Sequence, residues 1–199
     1  GYLERVGYLP NYGNLKTSNI IAWQLGHEYL NEKGAVNLSS KEMKESFLWI
    51  KSFIHEIGLK KVLELMGTFG TGLQHGFISG KVSMMILDSS YPEIIEKYKP
   101  DFQYGVIPIP SYGDSKPISS AGIWWLGIPR GVKDPKKSWD FISFLAGEKN
   151  QIDYQKRTEE SLFSANKYVA YQENSVSISY YDVFLYMLEN SKSPNIVPL

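Results

Sequence analysis

Cysteine is absent from the 199 residues. That excludes disulfide staples, thiolate metal sites, iron–sulfur clusters and cysteine nucleophiles, and leaves the redox compartment open. No run approaches the roughly 18 apolar residues of a membrane-spanning helix. Net charge is missing as well: 21 Lys and Arg balance 21 Asp and Glu. Such a chain lacks the positive field that draws a protein to nucleic acid or an anionic membrane, so no nucleic-acid partner is expected. Histidine is scarce, with His27, His55 and His75 far apart. His27-Glu28 and His55-Glu56 begin like H-E-x-x-H but lack the second histidine, so neither a metal nor another cofactor is expected. The chain opens Gly1-Tyr2-Leu3 without an initiator methionine or a secretory apolar segment, and reads as a processed protein or an internal piece.

What is present is ordinary globular material, 43% apolar and 21% charged. Tyrosine (14) and tryptophan (5) together outnumber phenylalanine (9). Rings with a flat apolar face and a polar handle suit surfaces that hold polar ligands, although core and rim packing accounts for most of them.

Residues 1–18 are turn-rich around Pro10-Asn11-Tyr12-Gly13-Asn14 and read as a loop; Ser18–Tyr29 reads as a helix. Ser39-Ser-Lys-Glu42 has the form of a capping box. Met43, Phe47, Ile50, Ile54 and Ile57 then make one helical stripe that ends at Gly58. Val82–Leu87 is continuously apolar, as a strand covered on both faces should be. A short PEIIEKY helix follows. Tyr104–Pro110 reads as an edge or crossing strand because Pro108 and Pro110 donate no ladder bonds. Trp124–Ile128 reads as a strand that sends one indole inward and the other outward. Asp134 with Pro135 starts a helix whose apolar face is Trp139, Ile142 and Leu145, flanked by Phe141, and a last helix covers Asp182–Glu189. Strands alternating with helices point to an α/β fold.

Catalytic patterns are weak. Gly70-x-Gly72-x-x-x-Gly76 has the wrong spacing for a dinucleotide loop and no P-loop lysine. Glu159-Glu160 are neighbours in a charged stretch and share no face, and no G-x-S-x-G elbow occurs. No catalytic residue is assigned. The aromatics Trp23, Tyr91 and Trp124 lie near loops and are ligand-contact candidates.

Three ordered segments then carry a resemblance. Phe77-x-x-Gly80-Lys81-x-x-Met84 is followed by Tyr104-Gly-Val-Ile-Pro-Ile-Pro110. After these come Gly122-Ile-Trp124-Trp-Leu-Gly-Ile-Pro129 and Asp134-Pro-Lys-Lys-Ser-Trp139-Asp-Phe-Ile-Ser-Phe-Leu145. Together they resemble the family 1 extracellular solute-binding proteins, the maltose-binding-protein-like receptors of ABC importers. Pro194-Asn195 resembles a segment late in that fold.

The resemblance implies an α/β, type II periplasmic-binding-protein-like fold of two lobes joined by hinge strands, here as a fragment lacking the N-terminal part and the C-terminal end. Residues 1–103 would belong to the second lobe, 104–110 to a hinge strand, 111–158 to the first lobe and 159–199 to the second lobe again. It implies capture of a sugar or oligosaccharide in an interlobe cleft, no catalysis, a membrane permease as partner, a monomer, and a periplasmic or lipoprotein location. Trp124, after Gly122, falls at the family's cleft tryptophan; Trp23 lies near a frequent cleft aromatic; Tyr91 sits one place from the aromatic of the "G-x-W" turn. Ile123, Asp88 and Ser90 depart from the family pattern. Aromatic faces would cover sugar rings while Asn19, Asp88 and Ser89 meet hydroxyls. The competing readings are a glycoside hydrolase fragment and a receptor of the same fold for a peptide, polyamine or metal ion.

Overall fold

A computed structural model describes residues 3–157, 162–172 and 179–193. Glu159-Glu160 and Pro194-Asn195, both singled out above, lie outside the described residues. The chain divides into two compact units, Gly1–Ala121 with Asp182–Leu199, and Gly122–Tyr181.

In the first unit, β1 (Val6–Gly13) lies parallel to β2 (Val82–Ile86), in register Val6↔Val82 and Tyr8↔Met84. Three helices, α1 (Thr17–Gln24), α2 (Lys41–Ile57) and α3 (Leu59–Met66), form the crossover between them. Parallel neighbours require such a crossover, and here it also supplies the core. Val6, Leu9 and Val82 of the strands pack with Val62 and Leu65 of α3, with Ile54 and Ile57 of α2 against them. On α1, Ile20, Ile21, Ala22 and Trp23 are all buried. After β2 comes α4 (Tyr91–Tyr98), anchored by buried Ile95. Ser119–Ser120 (β3) and Ser191–Lys192 (β4) make a second, short parallel pair. It is reinforced by the buried Ser119 hydroxyl donating to the Met187 carbonyl at 2.7 Å.

Several expectations change. Residues 6–13 are a strand rather than a loop, because burial of Val6 and Leu9 outweighs the turn signals; these act only at the strand's far end, where the register shifts between Tyr8 and Gly13. The cap of α2 is Ser40, one residue later than the box suggested. Its hydroxyl accepts from Met43 N–H at 3.1 Å and meets His27 Nδ1 at 2.9 Å, an added contact that favours this serine. Gly58, at φ +97°, closes α2 by donating to Ile54 and opens α3, a helix that the sequence reading did not separate. β2 is not covered along its length: Val82 is buried, whereas Met84, two residues on and on the same face, is 60% exposed. Tyr104–Pro110 forms no ladder. Its tie to the unit is instead buried Gln24, which donates to the Pro110 carbonyl at 3.1 Å and accepts from Tyr112 N–H at 2.7 Å.

The second unit holds α5 (Pro135–Ala146), α6 (Glu148–Arg157) and α7 (Lys167–Ala170). Asp134 caps α5 as read, its carboxylate accepting from Lys137 N–H at 3.0 Å. Residues 121–129 form no strand, and the expected alternation is absent: without a ladder nothing fixes one indole inward, and both Trp124 and Trp125 are exposed. The expected apolar face of α5 is only half covered, with Ile142 and Leu145 partly buried and Trp139 exposed. The last helix, α8 (Tyr181–Glu189), falls where it was read.

Candidate functional site

The carboxyl ends of the two parallel strands open onto one edge of the first unit. In open α/β sheets this edge is where loops converge and ligands bind. Tyr12 and Gly13 end β1, and Gly13 pairs with Ile86 at the end of β2. The backbone here is specialised. Asn11 has φ +59°, a left-handed conformation that asparagine tolerates better than most residues. Its carboxamide oxygen accepts from Ser18 N–H at 3.1 Å, and its own N–H donates to Thr17 Oγ1 at 3.1 Å. The strand end is thereby fastened to the start of α1, which has no side-chain cap from Lys16. At Gly13, φ is +120° and a Cβ would lie 2.5 Å from the Ile86 carbonyl oxygen, so only glycine fits.

Four rings meet beside this edge, with Phe69 against Tyr12 at 4.9 Å and 47°. His75 stacks on Tyr12 with centroids 5.5 Å apart and planes at 23°. Its other neighbour is Tyr91, at 5.2 Å and 48°. The Tyr91 hydroxyl and His75 Nε2 are 2.8 Å apart, a hydrogen bond. Buried Gly76 donates its N–H to the Tyr12 hydroxyl at 2.9 Å. The phenolic proton of Tyr12 has no acceptor among the described residues, so this hydroxyl is available to donate to a ligand.

Asp88 organises the turn between β2 and α4. One carboxylate oxygen accepts from Ser90 N–H at 3.0 Å and from the Ser90 hydroxyl at 2.6 Å; the other accepts from the Asn14 carboxamide, joining this turn to the loop after β1. The Ser89 hydroxyl has no partner among the described residues.

Burial raises the Tyr12 and Tyr91 phenols above their ordinary value, with Tyr12 and Asp88 adding to the effect on Tyr91. Burial lowers His75. All three groups are therefore neutral near pH 7. Among the described residues no group of three or more His, Asp or Glu is placed to hold a metal ion. The ring wall itself is uncharged and carries a free hydroxyl donor; beside it lie the Asp88 carboxylate and the Lys16 ammonium, which donates to the Asn11 and Gly13 carbonyls at 3.3 and 3.4 Å. Such a wall can meet a polyhydroxylated solute, whose C–H faces stack on aromatics.

Of the residues singled out in the sequence, Asp88, Ser89 and Tyr91 come together at this edge. Asn19 is half-buried on α1. Trp23 is 4% exposed, its ring edge-on to Tyr29 at 6.0 Å. Gly122 and Trp124 belong to the second unit, where the Trp124 indole is 93% exposed.

A family model of bacterial extracellular solute-binding proteins matches residues 10–152, a span that includes the strand-end site and much of the second unit. The chain belongs to this family. It is a family of binding proteins rather than of enzymes, and an extracytoplasmic one. No curated protein matches the chain. Among solved structures, CpMnBP1 with mannobiose bound is similar to this solute-binding chain with a TM-score of 0.72 and 20% identity, over 98% of this chain. CpMnBP1 with mannotriose bound gives 0.67 and 20%, over 96%. In both cases the chain spans 50% of the solved structure's length. The likeness establishes the α/β solute-binding-protein fold.

Sequence reasoning missed Tyr12 and His75 in this solute-binding chain. Tyr12 sat in what read as a loop, and His75 read as a surface or satisfied histidine. A usable signal was Gly76 directly after His75, since a glycine next to a polar ring admits another ring to close contact.

Proposed function

We propose that the protein captures a sugar or short oligosaccharide outside the cytoplasm and hands it unchanged to the permease of an ABC importer. The observation that carries this reading is the neutral Tyr12–His75–Tyr91 face at the strand ends of a solute-binding-family chain. The similarity to CpMnBP1 with mannobiose and mannotriose bound makes short mannose oligomers the first candidates. In this reading Tyr12, Tyr91 and Trp124 cover sugar rings, while Asn19, Ser89 and Asp88 meet hydroxyls. Gly122 and Trp23 are further ligand contacts in this reading. Residues 1–103 and 159–199 form the second lobe, 111–158 the first, and 104–110 the hinge. The protein acts as a monomer, in the periplasm or as a surface lipoprotein.

Calorimetric titration of the full-length protein with mannobiose tests this. Saturable binding without release of mannose is the expected result. Trp124→Ala should weaken binding more than tenfold, which is about 1.4 kcal/mol, and leave the melting temperature unchanged because the indole is 93% exposed. Sugar turnover would favour the glycoside hydrolase reading. No response to a panel of mannose, glucose and galactose oligomers would move the reading to a non-sugar solute.

A further inference from the structure

We propose that His75 is a positioning residue for this site: it clamps Tyr12 and Tyr91 at a fixed mutual angle, so that both phenol faces are set before the ligand arrives. The proposal rests on the reading above for the kind of ligand, but its geometry stands apart from that reading. Among the described residues His75 is the one ring in contact with both tyrosines, by stacking on Tyr12 and by a hydrogen bond to Tyr91. Its own backbone is held at both ends. His75 N–H donates to Gly72 at 3.0 Å, and its carbonyl accepts from Ser79 N–H at 2.8 Å, just beyond the single 3-10 turn Gly72–Gln74. The imidazole is therefore mounted on a fixed turn.

A plain packing residue would need only the ring. His75 also carries a polar requirement, because its Nδ1 is buried and has no partner among the described residues. A neutral imidazole satisfies Nε2 with the Tyr91 hydroxyl in either tautomer, Nε2 donating or accepting. An imidazolium must carry N–H on both nitrogens, and the one at Nδ1 meets no acceptor. The titratable groups facing the ring are Tyr12 from β1 and Tyr91 from α4, with Asp88 of the β2–α4 turn acting on Tyr91. The two phenols bring no charge, and the Asp88 carboxylate, which accepts from Ser90 and Asn14, acts on Tyr91, whereas burial alone shifts His75. Protonation therefore loosens the clamp, and burial, which lowers the His75 pKa, agrees with this. Pre-set aromatic walls bind better because their ordering is not charged against the ligand.

The test compares wild type, His75→Gln and His75→Phe in the full-length protein. Mannobiose is titrated by calorimetry at pH 7.5 and 5.5, and tyrosine ring carbons are followed by NMR over the same range. His75→Phe keeps a ring and loses the hydrogen bond; it should weaken mannobiose about tenfold. His75→Gln keeps a hydrogen-bonding group and should stay within about threefold of wild type at pH 7.5. Wild-type affinity should drop at least threefold on acidification, and that of His75→Gln should not. The Tyr12 and Tyr91 signals should shift along the His75 titration and shift in both variants. Tyrosine signals that ignore both the titration and the substitutions overturn the proposal, as does wild-type affinity in His75→Phe. If wild type does not bind mannobiose, the choice of sugar fails, and the tyrosine signals still decide the role of His75.

Discussion

An added methyl at Gly76 probes the ring cluster directly. Gly76 is buried, and an alanine Cβ there would lie 3.0 Å from the Tyr12 hydroxyl oxygen and 3.1 Å from both Tyr12 Cε1 and Phe69 Cε2. Carbon contacts settle near 3.5–4.0 Å, so the Tyr12 ring must withdraw by about half an ångström. The 2.9 Å bond from Gly76 N–H to that hydroxyl then lengthens or breaks. A buried amide without its partner costs about 1–3 kcal/mol, and over-packing adds a similar amount. The Gly76 backbone is not in the left-handed region, so alanine itself is unstrained there and recovers about 0.4–1 kcal/mol through the unfolded chain. The net expectation for Gly76→Ala is a loss of about 2 kcal/mol in urea unfolding. Repeating the substitution in a Tyr12→Ala background isolates the cause: with that ring gone, Phe69, whose Cε2 is 3.1 Å from the methyl, can shift into the vacated space, and the cost should fall by more than half. A cost that persists without the Tyr12 ring, or no cost in either background, refutes the packing argument.

Gly13→Ala should be the more damaging glycine substitution, at about 3 kcal/mol or more in the same assay. It combines φ +120° with a 2.5 Å approach to a backbone oxygen that cannot move aside. Asp88→Ala removes the acceptor of both Ser90 bonds and of the Asn14 bond, and should cost about 1–2 kcal/mol while loosening the start of α4, visible as faster amide exchange at Ser90 and Tyr91. The folded state favours neutral His75, because burial lowers its pKa below the ordinary value of about 6.5. That contribution to stability is complete above about pH 6.5 and is lost as pH falls through the lowered value, so the melting temperature should decline from pH 7.5 to 5.5, and less so in His75→Gln. At the alkaline end the raised phenols of Tyr8, Tyr12 and Tyr91 act in the opposite sense. Their contribution is full below about pH 10 and is lost as pH rises through the raised values; a melting temperature that stays flat up to pH 11 would refute their burial.

Helices with strong local signals were legible. Asp134 and Pro135 mark α5, and the stripe from Met43 to Ile57 marks α2, because caps and periodicity are written within a few residues. The β1 strand was not legible: a parallel strand gains its stability from a partner some seventy residues away, and Pro10, Asn11 and Gly13 mask it locally with signals that belong to its specialised end. The error propagated to the site. With β1 read as a loop, Tyr12 had no fixed address, and His75 had no ring to stack on. Asp88, Ser89 and Tyr91 were found because they follow directly on β2, which the apolar run from Val82 does reveal. At Trp124 and Trp125 the alternation argument failed for a related reason: it presumes hydrogen-bonded neighbours, and residues 121–129 have none.

The arrangement also explains why Asp88 and Tyr91, adjacent in function on the sequence reading, divide the work. A carboxylate offers about four acceptor positions, and three of those on Asp88 are occupied by Ser90 and Asn14. Its chief effect is to join the loops after β1 and β2, which brings Tyr12 and Tyr91 to the same edge. What it leaves exposed is a single lone pair, enough to accept from one hydroxyl, and the carboxylate keeps its negative charge because Ser90 and Asn14 are neutral donors. The rings carry no charge at neutral pH, and the free donor on Tyr12 complements that one acceptor. In the proposed reading, a surface that pairs one donor and one acceptor with flat apolar walls would distinguish solutes by the spacing of hydroxyls around a ring.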